Sequence, residues 1–319
     1  MTNNHRAEHR ITVQAPARTV YGLIADVESW PRVFPPTVHV DVLDRTAGEE
    51  RIRIWATAND SVKTWTSRRV LDPGGLRVGF RQEVSQPPVA AMGGEWIVEP
   101  LSDTASLVRL THDFRAVDDD PEGVEWITRA IDRNSDAELD ALRRAAERTS
   151  GTGAGADDLS LQFDDVVEVA GDPADVYDFL YDARRWQERL PHVNRVALEE
   201  STPGLQLLEM DTLTPNGAVH TTKSVRVCFP SAAIVYKQLR TPALMTVHNG
   251  LWRIAKSTSG CTVTSTHTVV LDRDAVVPVL GEGATVGDAR TFVRDALGRN
   301  STATMLLAKE HAERAARER

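Results

Sequence analysis

The sequence is poor in the residues that mark several large protein classes. Only two of its 319 residues are cysteines, Cys228 and Cys261, and their spacing suits neither a disulfide framework nor a zinc site. No apolar run approaches the ~20 residues that a membrane-spanning helix requires. A formal net charge of −9 argues against nucleic acid or an anionic membrane surface as the main partner. These absences predict a soluble, cytoplasmic protein with two reduced core cysteines.

Motifs for several kinds of catalysis are missing as well. The chain has no phosphate-binding P-loop, no dinucleotide glycine fingerprint, no His-Glu-x-x-His helix and no nucleophile elbow. Nucleotide-driven chemistry, zinc hydrolysis and serine hydrolysis are therefore not expected. We expect neither a metal nor a cofactor.

The sequence does contain an internal repeat. Residues 11–35 and 167–191 match at a constant shift of 156 positions. Six landmarks recur at this shift: Val13, Val20, Tyr21, Asp26, Trp30 and Pro35 match Val169, Val176, Tyr177, Asp182, Trp186 and Pro191. The match continues with small gaps to the end of both copies. A glycine-rich stretch separates the copies, which predicts domains at residues 1–149 and 159–319 joined by a flexible linker at 150–158.

Each copy shows the same order of secondary-structure signals. A strand near residues 9–15 precedes an amphipathic helix that begins at Ala15-Pro16, and short alternating runs follow over residues 37–117. A long amphipathic helix over Pro121 to Arg148 ends the copy. This order predicts an antiparallel sheet wrapped on a long helix, an arrangement that tends to leave a cavity between them.

Strand alternation indicates which polar side chains face that cavity. His112 shares its strand face with the apolar Leu110 and Phe114, so we expect it to point inward. Arg69 shares a face with Trp65, and of two neighbouring arginines only one can point inward. On the terminal helix, the apolar stripe is interrupted by Asn134 and Glu138. An arginine, a histidine and a carboxylate from three elements would thus meet in one cavity.

Each of these residues also has a structural interpretation. An inward histidine is more often a hydrogen-bonded core residue than a catalyst, and a buried arginine is usually paired. Asn134 could simply tie the helix to a strand. The residues alone leave the functional and the structural interpretations open.

Five short blocks carry a more specific signal. They are Phe34–Thr37 (FPPT), Thr64–Arg69 (TWTSRR), Met92–Trp96 (MGGEW), Leu110–Phe114 (LTHDF) and Arg133–Ser135 (RNS). With these blocks the first copy resembles the aromatase/cyclases of bacterial type II polyketide synthases, within the START-like (Bet v 1-like) superfamily. The second copy resembles the same family more weakly. The resemblance implies an α+β chain of two tandem helix-grip domains.

The resemblance also implies an activity and partners. The family's usual substrate is a poly-β-ketone on an acyl carrier protein, often reduced at one carbonyl, and the usual reaction joins the seventh and twelfth carbons and removes water. The carrier protein is thus the expected partner, with the ketosynthase and ketoreductase of the same synthase as further candidates. A non-catalytic carrier of hydrophobic ligands and a chaperone of synthase assembly remain the alternatives.

The family's catalytic residues carry over onto Arg69, His112 and Glu138, where glutamate replaces the aspartate of single-domain relatives. We expect His112 to act as the base, Arg69 to hold the oxyanion, and Glu138 to orient His112 or relay a proton. Seven residues are expected to contact substrate: Trp65, Ser67, Phe80, Arg81, Met92, Trp96 and Asn134.

The second copy keeps the arginine and the histidine but loses the carboxylate. Arg226, His267 and Asn300 match the first copy, whereas Thr304 stands where Glu138 does and Thr222 where Trp65 does. We therefore expect the first domain to have the better-equipped pocket. The second could support the first, bind a later intermediate or take over dehydration, and we favour support.

Overall fold

The computed structural model describes residues 4–59, 61–151, 159–213 and 219–319. The chain divides into two compact units, residues 1–153 and 154–319. The two domains expected from the internal repeat are therefore present. Most of the expected linker, residues 152–158, lies outside the described residues.

The first unit contains a seven-stranded antiparallel sheet. Its strands are β1 (His5–Val13), β2 (Thr37–Arg45), β3 (Glu49–Ala58), β4 (Ser61–Asp72), β5 (Arg77–Val84), β6 (Val89–Ser102) and β7 (Ala105–Ala116). Their order is β1-β7-β6-β5-β4-β3-β2, so β2 to β7 form a meander and β1 pairs with its last strand. This is the strand content that the alternating runs predict.

Three α-helices complete this unit: α1 (Ala17–Ala25), α2 (Trp30–Val33) and α3 (Pro121–Ser150). Helix α3 begins where the Asp120 side chain accepts a hydrogen bond from the Gly123 amide, and Pro121 occupies the first turn. Its buried stripe includes Ile127, Ile131 and Leu142. This stripe packs on the inner face of the sheet and forms one wall of a cavity.

The second unit repeats the arrangement. Its strands are β8 (Ser160–Val169), β9 (Val193–Thr202), β10 (Leu205–Leu213), β11 (Val219–Phe229), β12 (Ala233–Arg240), β13 (Met245–Ser257) and β14 (Gly260–Leu271), in the order β8-β14-β13-β12-β11-β10-β9. Its helices are α4 (Pro173–Tyr181), α5 (Trp186–Arg189), α6 (Val276–Leu280) and α7 (Val286–Glu318). Helix α6 occupies the place where the first unit has only a short 3-10 turn at Val117–Asp119.

The cysteines are both buried free thiols, as expected of core residues. Cys228 lies on β11 and Cys261 on β14. Within the described ranges, none of the helices combines the length and apolar character needed to cross a membrane.

Close strand packing at Gly94 yields a stability prediction. Gly94 on β6 lies between Phe80 of β5 and His112 of β7, and a Cβ there would come within 1.8 Å of the Thr111 carbonyl oxygen. Gly94→Ala should lower the free energy of unfolding by about 1–3 kcal/mol because the backbone must shift. Gly79→Ala is the matched control, since its Cβ would meet no atom within 4 Å. Urea unfolding of both variants tests this, and equal effects would contradict it.

Candidate active sites

The second unit encloses a large cavity. Its volume is about 700 Å³, and it lies between the sheet and helix α7. All four pocket residues expected in this unit line it: Arg226, His267, Asn300 and Thr304. The first unit holds a cavity of about 140 Å³.

His267 occupies the inner face of β14. Its Nε2 lies 3.2 Å from the Ser265 hydroxyl and its Nδ1 lies 3.0 Å from Nε2 of His248. The Tyr236 hydroxyl is 3.5 Å from the same Nδ1, at the long limit of a hydrogen bond. Burial lowers the pKa of His267 to about 4, so the imidazole is neutral at pH 7.

Among the polar residues of this cavity that the sequence prediction did not include are His248 and Tyr236. Both line it, His248 from β13 and Tyr236 from β12. Burial lowers the pKa of His248 to about 3 and raises that of the Tyr236 phenol. The repeat contained the signal, because His248 and Tyr236 stand at the positions of Met92 and Phe80 in the first copy.

Arg226 is buried at the wall of this cavity. Its guanidinium donates to the carbonyl oxygens of Leu180 and Tyr181, the last residues of α4, and to Oε1 of Gln206 at 2.7 Å. Within the described ranges Arg226 forms no direct ion pair. Gln206 in turn donates to Glu200 at 3.1 Å, so the nearest carboxylate is one residue removed. Arg226 thus lines the cavity without a carboxylate partner of its own among the described residues.

The smaller cavity brings together five of the expected residues of the first unit. Trp65, Met92, His112, Asn134 and Glu138 all line it. The Asn134 amide donates to the Thr57 carbonyl at 2.9 Å, so this residue also ties α3 to β3.

His112 faces inward, as strand alternation predicts. Its Nδ1 is buried and has no hydrogen-bond partner within the described residues, so the Glu138 carboxylate is not bonded to it there. The Phe80 ring lies edge-on at 5.5 Å between centroids. Burial, with a smaller contribution from His9, lowers the pKa of His112 to about 4. The first cavity thus has a neutral imidazole on its wall, with the Phe80 ring beside it.

Arg69 does not line this cavity, which corrects the expectation that it joins His112. It is 1% exposed, and it forms an ion pair with the buried carboxylate of Glu50. It also donates to the carbonyl oxygens of Ile24 at 2.6 Å and Ala25 at 3.3 Å, which end helix α1. Its guanidinium stacks over Trp30 at 4.7 Å. Arg69 points inward as alternation predicts, but it lies beneath the end of α1.

Four of the expected substrate contacts also lie elsewhere. Arg81 forms a bidentate ion pair with Asp113 at 2.6 and 2.8 Å and passes over Gly93, on the opposite sheet face from Phe80. Phe80 and Trp96 pack in the core, and the buried Ser67 hydroxyl donates to the Arg81 carbonyl at 3.1 Å. Neighbouring strand residues face opposite ways, so Phe80 and Arg81 could not both have faced the cavity.

The sequence predicts the better-equipped pocket in the first unit, and the structure shows the opposite difference between the two sites. The second unit has the larger cavity and surrounds its histidine with polar groups. The first unit keeps a carboxylate on α3, but its arginine is neutralised away from the cavity.

The buried ion pair of the first unit gives a prediction for stability. Glu50→Ala should lower the free energy of unfolding by about 3–5 kcal/mol because Arg69 would be left buried without its counter-ion. Glu50→Gln should cost clearly less, because the second unit places Gln206 against Arg226 in the same way. Urea unfolding measures both. Equal losses for the two variants would contradict this account of the pair.

The lowered pKa of His112 makes the free energy of unfolding depend on pH. Between pH 6.5 and 4 the unfolded chain binds a proton on His112 that the folded chain does not, so this residue makes stability fall as pH falls. When the pH falls from 7 to 5, the free energy of unfolding should fall by about 1–2 kcal/mol less in His112→Gln than in the wild type. Urea titrations at both pH values test this. An NMR titration midpoint of His112 near 6.5 would contradict it.

Comparison with known proteins gives the same family for both units. Residues 4–147 and 169–290 match two family models described as "Polyketide cyclase / dehydrase and lipid transport". The granaticin polyketide synthase bifunctional cyclase/dehydratase of Streptomyces violaceoruber is 47% identical over 98% of this chain and 95% of its own. The actinorhodin polyketide synthase bifunctional cyclase/dehydratase of Streptomyces coelicolor is 48% identical over 94% of this chain and 95% of its own.

Solved structures agree over nearly the whole chain. The di-domain ARO/CYC BexL from the BE-7585A biosynthetic pathway is 54% identical, with a TM-score of 0.84 over 97% of this chain and 99% of its own. The di-domain ARO/CYC StfQ from the steffimycin pathway is 38% identical, with a TM-score of 0.83 over the same shares of the two chains. The fold is thus two tandem START/Bet v 1-like domains. The chain belongs to the polyketide cyclase/dehydratase family, as a di-domain, bifunctional enzyme of type II polyketide synthesis.

Proposed function

We propose that this enzyme closes and dehydrates a carrier-protein-bound poly-β-ketone in the cavity of the second unit. The observation that carries the proposal is a cavity of about 700 Å³ with a neutral histidine and an arginine on its wall. Small-molecule sites usually measure about 300–1,000 Å³. The first unit's cavity of about 140 Å³ lies well below this range.

The proposed substrate is a poly-β-ketone reduced at one carbonyl, and the proposed ring joins its seventh and twelfth carbons. Support comes from the five sequence blocks that resemble the aromatase/cyclases. A polyketone cyclises readily without help, so the cavity must fold the chain to select one closure. We propose that the carrier protein presents the chain in the cytoplasm, together with the ketosynthase and ketoreductase. Carrier proteins are acidic, so a basic side chain near the cavity is a candidate contact for this partner. Arg299, exposed on α7 at the cavity, is such a side chain.

The chemistry requires a base, a stabilised oxyanion and an acid. A methylene between two carbonyls loses a proton to the histidine site, and its carbon forms a bond to the distant carbonyl carbon. The carbonyl oxygen becomes an alkoxide and takes up that proton. The resulting hydroxyl then leaves with the second methylene hydrogen as water. The Arg226 guanidinium is suited to stabilise the enolate and alkoxide because its charge is not directly neutralised.

For the first unit we propose an auxiliary acid–base role for His112 and Glu138 on a small or later intermediate. Both line its cavity, whereas Arg69 is engaged by Glu50. We propose a structural role for Arg69 in place of the catalytic role expected from the sequence.

Reconstitution of the full chain with the synthase, ketoreductase and carrier protein tests the proposal. His267→Ala should reduce the fraction of correctly closed, aromatised first ring about 100-fold, the usual order for loss of a general base. His112→Ala should reduce it less. Liquid chromatography with mass spectrometry and NMR reads out the ring pattern.

Two results would overturn this assignment. Loss with His112→Ala alone would locate ring closure in the first unit. Wild-type product from both variants would favour a ligand carrier or an assembly chaperone, for which pocket chemistry is unimportant. His311→Gln serves as the control, because His311 contacts Phe179 and lines neither cavity.

A further inference from the structure

The histidine of the second unit has a set of neighbours that the first unit lacks. In both sheets the histidine lies opposite a glycine, and that glycine lies opposite an aromatic residue: His267, Gly250 and Tyr236 in one, His112, Gly94 and Phe80 in the other. Two residues before the glycine stands His248 instead of Met92, and two before the histidine stands Ser265 instead of Leu110. Three apolar neighbours of His112 are thus all polar around His267.

These neighbours form a continuous hydrogen-bonded series. The rings of His248 and His267 stack at 5.3 Å between centroids with an angle of 26°. Nε2 of His248 lies 3.0 Å from Nδ1 of His267, and Nε2 of His267 lies 3.2 Å from the Ser265 hydroxyl. Both nitrogens of His267 therefore have protein partners, and neither is left over for a substrate.

One ring nitrogen of the pair has no partner. Nδ1 of His248 is buried, and among the described residues nothing hydrogen-bonds to it. His248 lines the cavity and its side chain is 2% exposed. A buried polar atom without a protein partner is costly, so a bound water or a ligand must satisfy it.

The contact between the two rings determines whether Nδ1 of His248 accepts or donates a proton. Two neutral imidazoles at this distance share one proton. With the proton on His248 Nε2, Nδ1 of His248 is a free base. With the proton on His267 Nδ1, Nδ1 of His248 carries a hydrogen and is a donor. The same atom can therefore be a base and then an acid.

We propose that His248 is the catalytic imidazole that meets the substrate, and that it exchanges a proton with His267 across their contact. This inference rests on the proposed function of the second cavity. Because burial keeps both rings neutral at pH 7, the pair has an unprotonated nitrogen that can accept a proton before the reaction begins.

The proton count closes over the reaction. In ring closure the methylene proton moves to Nδ1 of His248 while the proton on Nε2 of His248 moves to Nδ1 of His267, which becomes an imidazolium with its second N–H on Ser265. The reverse movement returns one proton to the alkoxide. In dehydration the second methylene proton follows the same route and leaves with the hydroxyl as water. No oxidant or metal enters the balance.

His248→Gln separates proton transfer from mere positioning. A glutamine can still hydrogen-bond to His267, but it cannot carry a proton at neutral pH. In the reconstituted synthase, the fraction of aromatised first ring should fall about 100-fold with His248→Gln. His248→Met, which reproduces the first unit's residue, should give the same loss.

The double variant His248→Gln/His267→Ala makes the test sharper. Residues that act as one unit are not additive, so the double variant should be no worse than His267→Ala alone. Wild-type product from His248→Gln or His248→Met, or a further fall in the double variant, would overturn the relay. His311→Gln must match the wild type, and far-UV circular dichroism must show that each variant is folded.

The two proposals fail in different ways. If His267→Ala abolishes correct closure while His248→Gln does not, the proposed function stands and the relay is wrong. If His267→Ala is silent, the assignment of ring closure to the second cavity is wrong, and the relay fails with it.

Discussion

A buried guanidinium under the end of a short helix is the interaction on which each unit depends. Arg69 and Arg226 reach from the sheet to the last carbonyl oxygens of α1 and α4, where the helix dipole favours a cation. A buried charge must be compensated, and the two units do this differently. Glu50 neutralises Arg69 directly, whereas the neutral amide of Gln206 meets Arg226. Arg226 therefore lines the cavity of its unit without a direct counter-ion among the described residues, whereas Arg69 is paired and does not line its unit's cavity.

Cavity size follows from the residues opposite the long helix. Trp65 occupies the wall of the first cavity, and the smaller Thr222 stands at its position in the second. The larger cavity is also the one whose histidine has polar neighbours. Volume, charge and proton-carrying groups thus coincide in the second unit, which is why we propose ring closure there and an auxiliary role for the first unit.

Strand periodicity correctly predicted which way a side chain faces where this depends on that residue's own strand alone. Alternation correctly turned His112 inward, and the repeat correctly gave the domain number and the strand content. The sequence prediction failed where the location of a side chain depends on several strands and a helix at once. Arg69 faces inward, but at a level of the sheet covered by α1 rather than by the cavity. Arg81 lies over Gly93 because a missing side chain there opens a path to Asp113.

The sequence by itself determined the duplicated helix-grip fold, the family, and the histidine in each unit, because these depend on patterns along the chain. Only the tertiary structure decided the volume of each cavity and which polar groups contact the histidine in it. Cavity volume is the small difference between the space that the sheet encloses and the side chains that fill it. The contact between His248 and His267 joins two strands whose alignment is fixed by pairing across Gly250. Neither quantity is a property of one segment.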